Sequence, residues 1–134
     1  MTAAPVTAAA PTTAPDCLFC RIVAGEIPAT VVRRGRRTLA FRDGAPQAPT
    51  HVLVVPTTHQ PDAARMAVAD PALLAEVIAD AVAVAEQEGL APSGYRLLTN
   101  TGRDAGQTVF HLHMHVLGGE PLGGMTGGPI KAAG

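Results

Sequence analysis

The clearest pattern of apolar and polar positions lies in the second half of the chain. Residues 70–89, "DPALLAEVIADAVAVAEQEG", place apolar side chains at three- and four-residue spacing, which predicts a helix with one buried face. We expect Asp70 to cap this helix, Pro71 to occupy its first position and Gly89 to end it. The residues expected on the buried face are Leu74, Ile78, Ala81 and Ala85.

Shorter apolar segments predict five strands and a second helix. Residues 16–27 predict a short N-terminal helix with Asp16 as its N-cap and Gly25 at its end. A hairpin around Gly35 is predicted next, and then a buried strand that Pro56 ends. The segments predicted as strands are 29–34, 38–43, 50–56, 95–100 and 108–119. This order predicts an α+β fold with an antiparallel five-stranded meander sheet, one long helix and a short N-terminal helix.

Composition divides the 134 residues into one domain and two tails. After Met1, residues 1–15 contain only Ala, Thr, Pro and Val, which cannot form a packed core, so a disordered tail is predicted. Residues 16–125 are long enough for one domain with one core. Residues 126–134 are rich in Gly and predict a flexible C-terminal tail.

Charge and hydropathy narrow the classes of function. Charged residues make up only 16% of the chain and the formal net charge is -1, so the basic excess of a nucleic-acid-binding protein is missing. No apolar run is long enough for a membrane span, and the N-terminus has neither the basic nor the leucine-rich region of a signal peptide. We therefore expect a cytoplasmic protein with no nucleic-acid or membrane partner.

Three of the five histidines alternate with apolar residues in "TVFHLHMHVLGG", residues 108–119. In a strand, period two would place His111, His113 and His115 on one face, open to a ligand, and the apolar residues on the core face. Those apolar residues are Phe110, Leu112, Met114 and Val116. A solvent-facing strand, a metal hydrolase and nucleophilic catalysis by histidine are the three interpretations of this pattern.

Nucleophilic catalysis accounts best for the pattern. Residues 105–119 contain no Asp or Glu, whereas an open, water-activating metal site usually recruits a carboxylate or a nearby base. A neutral imidazole is a usable nucleophile near neutral pH, and phosphorus is a suitable electrophile, so the site must neutralise phosphate oxygens. The preceding loop can do so, because Gly102 and Gly106 allow backbone N–H groups to face an anion and Thr108 offers a hydroxyl.

These motifs resemble those of a known family. The segment "HLHMHVLGG" resembles the signature of the histidine triad (HIT) superfamily, and "LAFRDGAPQAPTHVLVVPTTH" is similar to the strand block of that family. The segment "LTNTGRDAGQTVFHLHMHVLGGEPLGGM" is similar to the bacterial members that hydrolyse nucleoside phosphoramidates. The resemblance covers residues 16–125 and implies an antiparallel sheet with helices, continued across a homodimer.

The resemblance also implies an activity. The protein would be a nucleotide-binding hydrolase that cleaves the P–N bond of purine nucleoside 5'-phosphoramidates, and also aminoacyl-adenylates. The reaction would pass through a covalent nucleotidyl-histidine on His113, release a nucleoside monophosphate and need no cofactor. The rival expectation is a non-catalytic nucleotide-binding or zinc-stabilised interaction protein on the same fold. The presence of all three histidines, Asn100 and the Thr108 hydroxyl favours the enzyme.

By the same resemblance, five residues receive catalytic roles. His113 would attack phosphorus, His115 would contact the phosphate or the leaving group, and the backbone carbonyl of His111 would hold the other nitrogen of the nucleophile. Thr108, which stands where the family usually has Ser, would donate a hydrogen bond to the leaving group. His51 would pack near the three histidines.

The remaining expected contacts bind the nucleotide. Asp43 would accept hydrogen bonds from the ribose hydroxyls, with Gly44 beside the ribose where an apolar residue is common. Asn100 would anchor the phosphate. The residues expected to enclose the base are Phe19, Ile22, Ile27 and Phe41. Those expected beside the phosphate are Gly106, Gln107, Thr108, Val109, His113 and His115, with the backbone N–H groups of Gln107 and Val109 facing it.

Cys17 and Cys20 leave more than one interpretation open. A C-x-x-C pair in a cytosolic protein can be redox-active, bind zinc or do neither, and the βαβ unit expected around a redox pair is missing. Some proteins of the resembled family bind zinc through two such cysteines and two histidines, which here are His59 and His111. A four-ligand Cys₂His₂ site would be structural and would orient the strand of the nucleophile. Two free thiols are the alternative.

The arginine-rich segment "RRGRR", residues 33–37, departs from the family pattern. It lies where relatives tend to be acidic. A solvated hairpin turn is one interpretation, and an added affinity for polyanions is the other.

Overall fold

The computed structural model describes residue 14 and residues 16–126. The predicted tails, 1–15 and 126–134, therefore lie outside the described residues except for Ala14 and Thr126. Among the described residues, no helix combines the length and the apolar character needed to cross a bilayer. The elements, in chain order, are α1 (Leu18–Val23), β1 (Val31–Arg34), β2 (Thr38–Arg42), β3 (Thr50–Pro56), α2 (Ala63–Ala69), α3 (Pro71–Gln87), β4 (Tyr95–Leu98), a 3₁₀ turn (Arg103–Ala105) and β5 (Met114–Gly118).

The five strands form one antiparallel sheet in the order β1-β2-β3-β5-β4, which confirms the predicted α+β fold class. The meander order holds only as far as β3. Helix α3 then carries the chain across the sheet to the β4 edge, and β5 returns between β3 and β4. In this position β5 pairs with both neighbours, so Leu53 of β3 and Leu98 of β4 both lie opposite His115.

Helix α3 packs on one face of the sheet, with the predicted caps but a rotated apolar face. The Asp70 side chain accepts a hydrogen bond from the Leu73 N–H, and Pro71 is the first helical residue. Two residues predicted to be buried are not, because Ile78 is 43% exposed and Leu74 is only half-buried. The buried residues of the helix are Leu73, Val77, Ala81, Val84 and Ala85.

The segment that holds the histidines is less regular than predicted. Strand β5 begins at Met114 instead of residue 108, so His111 and His113 precede it. The backbone N–H of Leu112 donates to the Gln60 carbonyl, outside the ladder of the sheet. Phe110, expected in the core, is 53% exposed, whereas Leu112 and His111 are both fully buried. The alternation of buried and exposed side chains expected of a strand therefore fails before Met114.

Two helix starts differ from the sequence prediction. Helix α1 is capped by Cys17 and not by Asp16, because the Cys17 sulfur accepts a hydrogen bond from the Cys20 N–H. The short helix α2 was not predicted. Its cap is Asp62, whose carboxylate accepts from the Arg65 N–H. An acidic residue before an alanine-rich segment is the signal that could have revealed it.

Carboxylates of α3 and of its N-cap pair with three of the four arginines in the hairpin between β1 and β2. Arg37 lies 2.8 Å from Asp70 and 2.5 Å from Glu76, and Arg36 lies 2.8 Å from the same Glu76. Arg33 lies 3.3 Å from Asp80. Arg36 nevertheless keeps a 74% exposed side chain, and Arg34 is exposed with no ion pair among the described residues, so both interpretations of this segment stay predictions.

Asp70 has two functions that two substitutions can separate. The Asp70→Ala variant loses the cap and the Arg37 ion pair, and we expect it to lower the free energy of unfolding by about 1–2 kcal/mol. The Asp70→Asn variant keeps a capping side chain and should lose much less. Urea denaturation of both variants measures the difference. Equal losses in the two variants would show that the cap contributes nothing.

Candidate active site

A cleft of about 720 Å³ opens at one end of the sheet, between α1, the loop after β2 and the loop before β5. Predicted residues that line it are Phe19, Ile22, Phe41, Asp43, Gly44, Asn100, Gly106, Thr108, Val109, His113 and His115. Ile27 and Gln107 do not line it. His51 lies behind His115, and His111 belongs to a separate cluster described below.

One end of the cleft is apolar and aromatic. The rings of Phe19 and Phe41 meet edge to face with their centroids 5.6 Å apart, and the Phe19 ring lies 5.0 Å from that of His113. Ile22 and Leu53 complete this wall. Leu53 was missed by sequence reasoning, although its place on a predicted buried strand was a usable signal. This end of the cleft can enclose a flat, apolar group next to His113.

His113 is held with one nitrogen free for chemistry. Its Nδ1 lies 2.8 Å from the His111 carbonyl oxygen, which can only accept, so Nδ1 carries the proton and donates it. The Nε2 atom of a neutral His113 is then the lone-pair nitrogen. The pKa of His113 is lowered because the ring is buried, which keeps the imidazole neutral at pH 7. Thr99, not predicted as a site residue, donates its hydroxyl to the His113 carbonyl at 2.8 Å.

A chain of hydrogen bonds assigns the proton of His115. The Gln47 N–H donates to Nδ1 of His51 at 3.0 Å, so neutral His51 carries its proton on Nε2. That Nε2 donates to Nδ1 of His115 at 2.9 Å, and neutral His115 must then carry its proton on its own Nε2. This Nε2 is buried and has no hydrogen-bond partner among the described residues. It is therefore a buried N–H donor without a partner, on a residue that lines the cleft.

Burial keeps both members of this histidine pair neutral. Burial lowers the pKa of His115 to about 4, with further lowering from His113 and His51. Burial also lowers the pKa of His51, although the nearby Asp43 carboxylate, 3.3 Å from its Nε2, partly offsets the effect. At pH 7 the site therefore offers neutral imidazoles with defined donor and acceptor atoms.

The loop before β5 has the shape of an anion-binding loop. Gly102 and Gly106 have φ values of 90° and 93°, a region that favours glycine. The Gln107 N–H, predicted to face the phosphate, instead donates to the Gly102 carbonyl at 3.1 Å. The N–H groups of Thr108 and Val109 have no acceptor among the described residues, and both residues line the cleft. These two N–H groups and the Thr108 hydroxyl are the donors available to an anion.

A second cluster unites the four residues predicted to bind zinc. Donor atoms of Cys17, Cys20, His59 and His111 all lie within 4.8 Å of one another. His111 Nδ1 is 3.3 Å from the Cys17 sulfur, 3.5 Å from the Cys20 sulfur and 3.2 Å from His59 Nδ1. Two thiols and two imidazoles this close together are the donor set of a structural zinc site.

The hydrogen bonds around this cluster fit a metal ion. Nε2 of His111 lies 2.9 Å from the Pro56 carbonyl, so it carries the proton and leaves the Nδ1 lone pair for a metal. Backbone N–H groups of Cys20 and Ala14 donate to the sulfurs of Cys17 and Cys20, as thiolate ligands require. Zinc held by these four residues would stabilise the fold and would leave no open position for chemistry.

The cluster of Asp43, His51 and His115 does not fit a metal ion equally well. Its donor atoms also lie within 4.8 Å of one another. His51, however, already uses its Nδ1 lone pair to accept the Gln47 N–H, so a metal on Nε2 would require a doubly deprotonated ring. This group therefore works as a hydrogen-bond chain and not as a metal site.

The family follows from comparison with known proteins. The HIT domain family model matches residues 24–122, and the chain belongs to this family. The purine nucleoside phosphoramidase of Escherichia coli (strain K12) is 45% identical over 112 residues, which are 84% of this chain and 94% of that protein.

Solved structures agree with this assignment. A HIT family hydrolase from Clostridium thermocellum superposes with a TM-score of 0.79 at 42% identity, covering 83% of this chain and 96% of that one. A HIT family hydrolase from Legionella pneumophila superposes with a TM-score of 0.78 at 46% identity, covering 84% and 100%. These relatives confirm the prediction of an enzyme of the HIT family.

The zinc site can be tested by metal analysis. Protein purified without a chelator should contain about one zinc per chain, because the cluster supplies one set of four ligands. The double variant Cys17→Ser with Cys20→Ser should lose the metal and melt at a lower temperature. The His115→Asn variant, altered in the other histidine cluster, should keep it. A wild-type protein that is metal-free and as stable as the double variant would contradict the site.

Proposed function

We propose that the chain hydrolyses the P–N bond of purine nucleoside 5'-phosphoramidates and releases the nucleoside monophosphate. The observation that carries this proposal is the state of His113, whose Nδ1 is bonded to the His111 carbonyl while Nε2 has a free lone pair beside the cleft. The activity of the Escherichia coli relative points to the same substrate class.

The first chemical step is a displacement at phosphorus. The lone pair of His113 Nε2 forms a new P–N bond while the bond from phosphorus to the leaving amine breaks. The departing nitrogen takes a proton from solvent water, and the Thr108 hydroxyl, on a residue that lines the cleft, can donate a hydrogen bond to it. The nucleotidyl-imidazolium that results is cationic, and the His111 carbonyl stabilises it by accepting the Nδ1–H.

The second step returns the enzyme to its starting state. Water attacks phosphorus, the bond to His113 Nε2 breaks, and the nucleoside monophosphate is released. The proton lost by water returns to solvent and balances the one that the leaving amine took up in the first step. His113 keeps its Nδ1 proton throughout, so the same tautomer is ready for the next substrate.

The cleft orients a nucleotide in one direction. The base would lie between the aromatic rings of Phe19 and Phe41, and the ribose would lie beside Asp43. The phosphate would then reach His113, the free N–H groups of Thr108 and Val109, and Asn100. An aminoacyl-adenylate carries the same nucleotide portion and the same bond geometry at phosphorus, so it is the second proposed substrate class.

Three further proposals concern the state of the protein. Structural zinc at the Cys/His cluster is supported by the proton positions described above. A homodimer is supported by β4, an edge strand bonded only to β5 among the described residues, which could pair with the same strand of a second copy. Cytoplasmic location stays a prediction from the sequence. A non-catalytic binding protein is the less favoured alternative, because binding alone would not need a free His113 Nε2.

Replacing the nucleophile should separate chemistry from binding. In the His113→Ala variant we expect turnover of adenosine 5'-phosphoramidate to fall at least about a thousandfold, since no other group can form the covalent intermediate. Binding of AMP, measured by calorimetry, should persist because the base and ribose contacts remain. Phe110→Ala, on the same segment but exposed, is the control and should retain full activity. Near-normal turnover in His113→Ala would disprove the mechanism.

Ribose recognition can be tested at Asp43. The Asp43→Asn variant can keep the hydrogen bond from the Ala45 N–H to the side-chain oxygen, but it loses the charged acceptor. We expect AMP binding to weaken by about 1–3 kcal/mol, and binding of the 2',3'-dideoxy analogue to change little. Calorimetry with both ligands makes the comparison. Equal losses for the two ligands would show that Asp43 does not contact the ribose hydroxyls.

A further inference from the structure

The side chain of Gln107 connects three separate stretches of backbone inside the protein. Its carbonyl oxygen accepts a hydrogen bond from the Gly102 N–H at 2.8 Å. Its amide nitrogen donates to the Pro61 carbonyl at 2.6 Å and to the Val109 carbonyl at 3.1 Å. The residue is only 4% exposed, so the partners replace water, and they also fix which end of the amide is the donor.

These three bonds close the loop whose N–H groups can donate hydrogen bonds to an anion. Gly102 precedes and Gly106 follows the 3₁₀ turn, and the Gln107 N–H donates back to the Gly102 carbonyl. The side chain of Gln107 adds a second bond to Gly102 and one to Val109, so both ends of the loop are attached to one buried amide. The bond to the carbonyl of Pro61 connects this loop to a different one, which precedes α2.

Such closure restrains the backbone of Thr108 and Val109, two residues that line the cleft. Their N–H groups have no acceptor among the described residues, and a flexible loop would let these groups turn to water or to one another. Preorganised donors bind an anion more tightly because no ordering free energy is spent when the ligand arrives. The Gln107 side chain does not line the cleft, but its hydrogen bonds hold the backbone that carries those donors.

We propose that Gln107 is a positioning residue that preorganises the phosphate-binding loop, and that it acts on the phosphate and on no other part of the nucleotide. This inference rests on the proposed function, because it assumes that a phosphate occupies the cleft beside Thr108. Its specific consequence is a split in affinity. The contribution of the phosphate to binding depends on Gln107, while that of the nucleoside does not.

Two variants disrupt the bonds of the Gln107 side chain with little change in volume. Gln107→Met fills the same space but leaves the Gly102 N–H and the two carbonyls without partners. Gln107→Glu keeps the shape and the acceptor but places a carboxylate oxygen against the Pro61 and Val109 carbonyls, where it repels them. The matched control is Gln87→Met, which removes a single bond from an exposed glutamine to the Val32 carbonyl, far along α3.

The measurement is the ratio of the dissociation constants of adenosine and AMP, obtained by calorimetry at pH 7. In the wild type this ratio should be well above one. We expect it to fall about tenfold in both Gln107 variants, with the adenosine constant unchanged within about twofold. The kcat for adenosine 5'-phosphoramidate should fall in parallel, and Gln87→Met should match the wild type.

The pH dependence of the Gln107→Glu variant supplies a readout that a merely structural residue would not give. Burial next to two carbonyls raises the pKa of the new carboxyl, and its protonated form can donate to the Pro61 carbonyl while still accepting from Gly102. On lowering the pH from 7 to 5.5, the adenosine-to-AMP ratio relative to wild type should therefore recover in Gln107→Glu and stay low in Gln107→Met.

The outcomes separate this inference from the proposed function. If the wild-type protein binds adenosine and AMP equally well, the cleft has no phosphate site, and the proposed function is disproved as well. A normal wild-type ratio that is retained in both Gln107 variants would overturn the positioning role alone. Equal loss of adenosine and AMP binding would also overturn it, because the damage would then be general. If Gln107→Met does not fold, the ratio and its recovery at low pH in Gln107→Glu decide the question.

Discussion

The hydrogen bond from His113 Nδ1 to the carbonyl of His111 is the interaction on which the rest of the site depends. At 2.8 Å it assigns the proton of His113 and therefore leaves Nε2 as the reactive nitrogen. The same His111 uses its ring in the Cys/His cluster and donates from Nε2 to Pro56 at the end of β3. One residue thus connects the cluster, the central sheet and the nucleophile. A shift of the His111 backbone would turn the His113 ring away from the cleft.

The site requires its buried imidazoles to be neutral. Burial lowers the pKa of His113, and it lowers those of His111 and His115 to about 4. Neutral rings can then be both donors and acceptors, and each has a backbone group or another ring that determines its tautomer. In the unfolded chain these histidines have an ordinary pKa near 6.5, so they bind protons as the pH falls below that value, whereas the buried rings of the folded protein do not. Acid therefore favours the unfolded state. In the metal-free protein these three rings therefore contribute stability that rises with pH up to the neutral range.

Local sequence signals predicted helix α3 and strand β3 because the causes of these elements are local, whereas they missed α2 and began β5 six residues too early. Asp70 followed by Pro71 identifies the start of α3, and an apolar β-branched run ending at Pro56 identifies β3. Which face of α3 is buried was not predictable in the same way. Apolar residues occur at both 73/77 and 74/78, so two overlapping faces fit the pattern, and only packing on the sheet selected Leu73 and Val77.

The amino-acid sequence by itself determined the chemical groups of this protein and their approximate positions: three alternating histidines, a glycine loop before them, and two cysteines spaced for a shared ligand. Tertiary structure decided how those groups are used. His111 and His113 are two residues apart, yet one belongs to the Cys/His cluster and the other to the cleft. The family resemblance predicted this division, but the alternation of a strand did not, because the backbone there bonds to the loop at Gln60 and to the Gln107 side chain. Hydrogen bonds between distant segments set tautomers and ring directions, and such bonds form only when the chain is folded.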